Sequence, residues 1–183
     1  MPHRLSLLVV TLVCALWRLE PGSAEGGTLR VGAARVDITP AEDAALPMAG
    51  YGGRTQGFRG IHDHVFVRAI VLDDGTTQAA MVAWESLFVP EAIWAETSRR
   101  ISSEIGISPD RLLISAVHDH GAPTLPATNA TPQQQAYITT VENSAVDAVR
   151  QAESQLQPSR FGVGAATAYV NVNRREFTTR GRR

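Results

Sequence analysis

The sequence predicts an α/β fold, a mixed β-sheet core with flanking helices, within a chain of 183 residues. Three patterns carry that prediction. Alternating apolar runs at 62–72 and 78–83 enclose Asp73-Asp74-Gly75-Thr76, a tight-turn sequence, and together read as a β-hairpin. Two segments, 90–105 and 131–156, repeat apolar residues at helical spacing between start and stop signals. After the hairpin the patterns alternate helix, strand, helix, strand, which indicates a mixed sheet with helices packed on it.

Each element has its own justification. Residues 28–39 (TLRVGAARVDIT) alternate loosely up to Pro40 and read as an opening strand, or as two short strands interrupted at Gly32. The glycine-rich stretch 48–60 (MAGYGGRTQGFRG) lacks the Lys-Ser/Thr ending of a phosphate loop, and its order does not fit a dinucleotide fingerprint. By composition it reads as a surface loop. The alternative is a glycine wall where backbone approaches a ligand closely, with Tyr51 and Phe58 lining it. The helix at 90–105 starts at Pro90, turns Trp94, Thr97, Ile101 and Ile105 inward and stops at Gly106. A short apolar run at 112–117 follows the turn Ser108-Pro109-Asp110 and reads as a buried strand. The second helix has the strongest signals. Thr131 can cap it, Pro132 fits the first helical position and Gln134 can close a capping box, while Ile138, Val141, Ala145, Val149 and Ala152 form a core face. Residues 160–172 (RFGVGAATAYVNV) read as a returning strand and 177–183 as a disordered tail.

Residues 1–24 are expected to be a secretory signal peptide rather than part of the fold. A basic head precedes the apolar run LSLLVVTLVCALW, and small residues close the segment at Ala24. The run is too short for a spanning helix, so no transmembrane segment is expected in the mature chain, whose destination is then the periplasm or the exterior. The single cysteine, Cys14, lies in this leader, and stability has to come from a packed core rather than a disulfide. Removing Arg4, Arg18 and Glu20 with the leader leaves 15 basic and 17 acidic residues, a formal charge of −2, which argues against nucleic acid as a partner. Every basic residue is Arg and none is Lys, a compositional bias that suggests a GC-rich bacterial source.

The candidate chemistry sits at the exit of the 112–117 strand, in His118-Asp119-His120. Residues two apart on a strand share a face, so both imidazoles can aim into one space and form half of a metal site. The plainer reading is a pair of hydrogen-bonded structural histidines. No His-Glu-x-x-His or Cys-x-x-Cys element completes a motif. Asp119 would face away from His118, with a structural or loop-orienting role. Glu85, at the end of the second hairpin strand, is either a surface charge or the carboxylate that accepts a hydrogen bond from an imidazole. A second triplet, His62-Asp63-His64, could join the first in a four-histidine site if the two strands are neighbours.

Several separated pieces share the order seen in one family: VGAARVDITP (31–40), MAGYGGR (48–54), GIHDHVFVRAIVL (60–72), MVAWES (81–86), RLLISAVHDHGAP (111–123) and NRRE (173–176). On these the chain resembles the N-terminal part of the neutral/alkaline, non-lysosomal ceramidases. The resemblance implies that residues 25–176 are an incomplete portion of a larger catalytic domain. It also implies a secreted zinc amidase that cleaves the N-acyl bond of ceramide or a related lipid-like N-acyl amide by a metal-activated water. By position, His118 matches a zinc ligand, and His120 matches the residue that supports the site or contacts substrate. The family's remaining ligands, a second His, a Glu and a Tyr, match no residue here. Two positions depart from the family pattern: Gly121-Ala122-Pro123 stands where Ser-Gly-Pro is common, and Glu85 where Asp is favoured. The rival expectation is a secreted, non-catalytic binding domain that keeps the scaffold with an incomplete metal site.

Overall fold

The computed structural model describes residues 28–50, 52, 54 and 56–170, together with the backbone of 177–178 and 181–182. The proposed leader lies outside the described residues. Five strands form one sheet: β1 (Arg30–Asp37), β2 (Phe66–Asp73), β3 (Gln78–Trp84), β4 (Leu112–Ala116) and β5 (Gln157–Pro158), in the order β4-β3-β2-β1-β5. The pairs β1–β2, β2–β3 and β1–β5 are antiparallel and β3–β4 is parallel. The expected mixed α/β architecture is therefore the one observed. Two helices, α1 (Glu91–Ile105) and α2 (Pro132–Ser154), supply the second layer.

The helix ends follow their sequence signals. Thr131 accepts a hydrogen bond from the Gln134 amide, and the Gln134 side chain accepts one from the Thr131 amide, so the capping box is complete. Gly106 adopts φ 90° and returns its amide to the carbonyls of Ile101 and Ser102. The α2 face expected to be core (Ile138, Val141, Ala145, Val149, Ala152) is buried. It joins Val67, Val71, Val82, Trp84 and Ile114 of the sheet and Ile93 and Ile101 of α1 in one cluster. On α1 the buried set is Ile93, Thr97, Ser98 and Ile101, with Trp94 and Ile105 only partly covered.

The first of the two readings of the opening segment, one strand, is the one formed, and three other expectations change. β1 runs through Gly32 without a break. A Cβ there would lie 1.9 Å from the Ala152 carbonyl oxygen, so this glycine lets the end of α2 sit directly on the strand. β2 begins at Phe66 rather than His62, because its partner β1 ends at Asp37 opposite Phe66 and Pro40 follows shortly after. In the segment expected to be a returning strand, residues 160–170 pair with nothing among the described residues, and Phe161 and Tyr169 are 79 % and 92 % exposed. Alternation supplies a strand's pattern but not the edge it must pair with. Finally, within 177–183, Phe177–Thr178 pairs antiparallel with Gly181–Arg182. None of the described helices is long and apolar enough to cross a membrane.

Candidate functional site

β4 ends at Ala116, before the first histidine, and its parallel run against β3 is prolonged by single hydrogen bonds. The Val117 amide donates to the Trp84 carbonyl and the Asp119 amide to the Ser86 carbonyl. Between them His118 takes φ 65°, a left-handed conformation that costs a non-glycine residue about 1–2 kcal/mol. The two imidazoles therefore meet through a turn and not through strand alternation, which corrects the expected geometry. Asp119 closes that turn by accepting the Gly121 amide at 2.7 Å, the loop-orienting role anticipated for it.

The turn aims both rings at one point. His118 Nδ1 lies 2.9 Å from the Leu87 carbonyl oxygen; since a carbonyl only accepts, Nδ1 carries a proton, and in the neutral ring the lone pair is then on Nε2. His120 Nε2 stands 3.3 Å from His118 Nε2, with the rings edge to face at 4.9 Å between centroids. Two imidazole nitrogens at ordinary bond lengths from a tetrahedral zinc stand about 3.3 Å apart, so this donor pair fits the ion that the resemblance implies. Among the described residues no third His, Cys, Asp or Glu joins them.

Backbone from the glycine-rich stretch forms the wall behind the pair. Gly50 has φ 74°, and a Cβ at that position would fall 2.2 Å from His120 Nδ1, so only glycine leaves room for the ring. The wall reading of this stretch thus holds at Gly50, and Phe58 lines a neighbouring cavity, while Tyr51 lies outside the described residues. Arg54 donates to the His120 carbonyl at 2.6 Å and to the Ala49 carbonyl, tying loop to turn. Neither Arg54 nor the Leu87 carbonyl is singled out by the sequence, because one is an ordinary loop arginine and the other is backbone.

Glu85 does not bond an imidazole. Its Oε2 accepts the Phe66 amide at 2.8 Å and its Oε1 meets Arg68 at 2.8–2.9 Å, so it closes the end of β2 while the Leu87 carbonyl takes the role expected of it. Nor do the two His-Asp-His triplets converge into one four-histidine cluster. His62 Nδ1 pairs with Asp63 at 2.6 Å and His64 Nδ1 with Asp37 at 2.7 Å, and these histidines line a different cavity. The open depression over His118 and His120 measures about 510 Å³, with Arg54, Asp119 and Gly121 completing its lining. The more enclosed cavity beside it, about 400 Å³, shares Asp119 and Gly121.

Residues 29–178 match the model of the neutral/alkaline non-lysosomal ceramidase N-terminal domain. The chain belongs to that family. It is 32 % identical over 124 residues to neutral ceramidases of Drosophila melanogaster and Drosophila pseudoobscura pseudoobscura, covering 65 % of this chain and 16 % of each relative. Its fold is similar to that of neutral ceramidase from Pseudomonas aeruginosa, with a TM-score of 0.62 and 21 % identity over 73 % of this chain and 23 % of that one. A ceramidase complexed with C2 gives a TM-score of 0.61 at 22 % identity, over 72 % and 22 % of the two chains. This family chain thus spans less than a quarter of the length of these relatives.

Proposed function

We propose that this chain carries the first part of a zinc centre for hydrolysis of the N-acyl bond of ceramide or a related N-acyl lipid, in a secreted protein. The reading is carried by the convergence of His118 Nε2 and His120 Nε2 at 3.3 Å, with the far nitrogen of His118 fixed by Leu87. His118 would hold the ion through Nε2. Bound there, zinc would lower the pKa of a water to about 7 and polarise an acyl oxygen. His120 presents its Nε2 to the same point and supports the site as the second nitrogen of that donor pair. Gly50 leaves room for that ring, and Arg54 holds the backbone carbonyl of the same residue. Family membership supports the substrate class, and the remaining ligands would come from segments beyond those described.

Zinc content after dialysis and turnover of a fluorescent N-acyl sphingoid substrate, measured on the purified chain, test this reading. Stoichiometric zinc that is lost in His118→Ala supports the metal centre. Because the remaining ligands come from other segments, turnover by this chain alone is not required, and an absence of metal uptake overturns the reading and leaves the non-catalytic binding domain.

A further inference from the structure

The loop that leaves β3 carries the carbonyl that meets His118, and one side chain holds that loop. Between Glu85 and α1 the sequence reads Ser86-Leu87-Phe88-Val89-Pro90, so the Ser86 hydroxyl is its one side-chain hydrogen-bonding group. Ser86 is 3 % exposed, and each of its polar groups is used. Its amide returns to the Trp84 carbonyl at 2.9 Å, which turns the chain directly after the strand. Its carbonyl accepts the Asp119 amide at 2.9 Å, between the two histidines. Its hydroxyl donates to the Phe88 carbonyl at 3.3 Å. Leu87 is thereby bracketed. The residue before it is tied to β3 and to the histidine turn, and the residue after it is tied back to Ser86.

We infer that Ser86 is a positioning residue for His118: by holding this loop it keeps the Leu87 carbonyl, 2.9 Å from His118 Nδ1, turned toward the ring. The peptide that carries this carbonyl also carries the Phe88 amide, on its opposite side. A carbonyl demands a proton on Nδ1. A rotated peptide would present the amide instead, so that Nδ1 accepts and the neutral ring carries its proton on Nε2. That is the nitrogen standing 3.3 Å from His120 Nε2, and protonated it has no lone pair for a metal. The hydroxyl therefore selects the tautomer without touching the ring. This role rests on the zinc-centre reading for its purpose, while the tautomer itself exists without metal.

The test is proton–nitrogen correlation spectroscopy of the imidazoles in the metal-free chain, at a pH above the histidine range, followed by zinc titration against a chelator. His118 should stand as the Nδ1–H tautomer in the unaltered chain. Ser86→Ala should shift it to a mixture with the Nε2–H form and lower zinc affinity about tenfold. Ser86→Cys, close in volume but a weaker donor, should fall between the two, and it decides the matter where the alanine variant does not fold. Ser98→Ala removes another buried serine hydroxyl, one with no hydrogen-bond partner among the described residues, and should leave the tautomer unchanged. An Nε2–H ring in the unaltered chain, an unmoved tautomer in the Ser86 variants, or an equal shift in Ser98→Ala overturns the role. The two proposals fail separately. A chain that takes up no zinc yet changes tautomer in Ser86→Ala loses the metal centre and keeps this contact, and zinc uptake with an unmoved tautomer does the reverse.

Discussion

The chain contains the tripeptide His-Asp-His twice, and the two copies are used differently. At 62–64 each imidazole is engaged by a carboxylate, His62 by Asp63 and His64 by Asp37. Partial burial works against ionisation of Asp37, but hydrogen bonds from Thr39 and then His64 outweigh it and hold that carboxyl below its ordinary value. At 118–120 the partner of His118 is a backbone carbonyl, and its remaining nitrogen faces its neighbour's. A carboxylate or a carbonyl on one ring nitrogen can each leave the other nitrogen for a metal, so the kind of partner alone does not separate the two copies. What separates them is convergence, because at 118–120 the two Nε2 atoms stand 3.3 Å apart and face one point. Neighbours, not the tripeptide, decide which copy can be a metal ligand.

The largest effect expected from this contrast is on zinc affinity. His118→Ala should lower it by at least about 100-fold and His120→Ala by about 10-fold, as read by competition with a chromophoric chelator. His62→Ala and His64→Ala should leave it within about twofold, since neither faces the pair. A fall of equal size at both triplets would collapse the distinction.

Glycine substitutions sharpen it next. Gly50→Ala should cost about 1–3 kcal/mol in denaturant unfolding and weaken zinc binding, because its Cβ collides with the His120 ring at a positive φ. Gly60→Ala, just ahead of the first triplet, has nothing within 4 Å of its Cβ and should change neither measurement. Arg54→Ala should have a smaller effect, about threefold in zinc affinity, by freeing the His120 carbonyl from its anchor. Arg54→Lys should rescue most of it, because one nitrogen, Nη2, bonds both the Ala49 and His120 carbonyls and an ammonium carries protons for both.

The smallest effect is a titration. Asp63 raises the pKa of His62 above its ordinary value, first by hydrogen bonding and then by charge. The charged pair is therefore fully formed below the unfolded histidine pKa and is lost as pH rises through the higher folded value. In an NMR titration Asp63→Asn should bring the His62 midpoint down toward the ordinary value while leaving thermal stability nearly unchanged, since both groups are exposed. An unmoved midpoint would show that Asp63 is not the partner that matters.

Much of the scaffold was legible from local chemistry. The hairpin around Asp74-Gly75, the capping box at Thr131, the glycine stop at 106 and the buried face of α2 each depend on residues within a few positions of one another, and each forms as read. The segment 160–172 shows the limit of that approach. Its alternation is strand-like, yet a strand exists only where another edge receives it, and that edge is not written in the segment itself. Whether Gly32 interrupts β1 was left open between two readings because the arrival of α2 over it, 120 residues later, has no local signature.

The histidine site divides in the same way. The residue type and spacing at 118 and 120 are properties of the sequence, and so is the family membership. Tertiary structure alone decided the rest: the left-handed turn at His118, the Leu87 carbonyl that selects its tautomer, the space left by Gly50, and the diversion of Glu85 to Arg68 and β2. These depend on where β3, β4 and the glycine-rich stretch meet. Side-chain identity sets which atoms could bind a metal, but only packing across distant segments sets which lone pairs are left to do so.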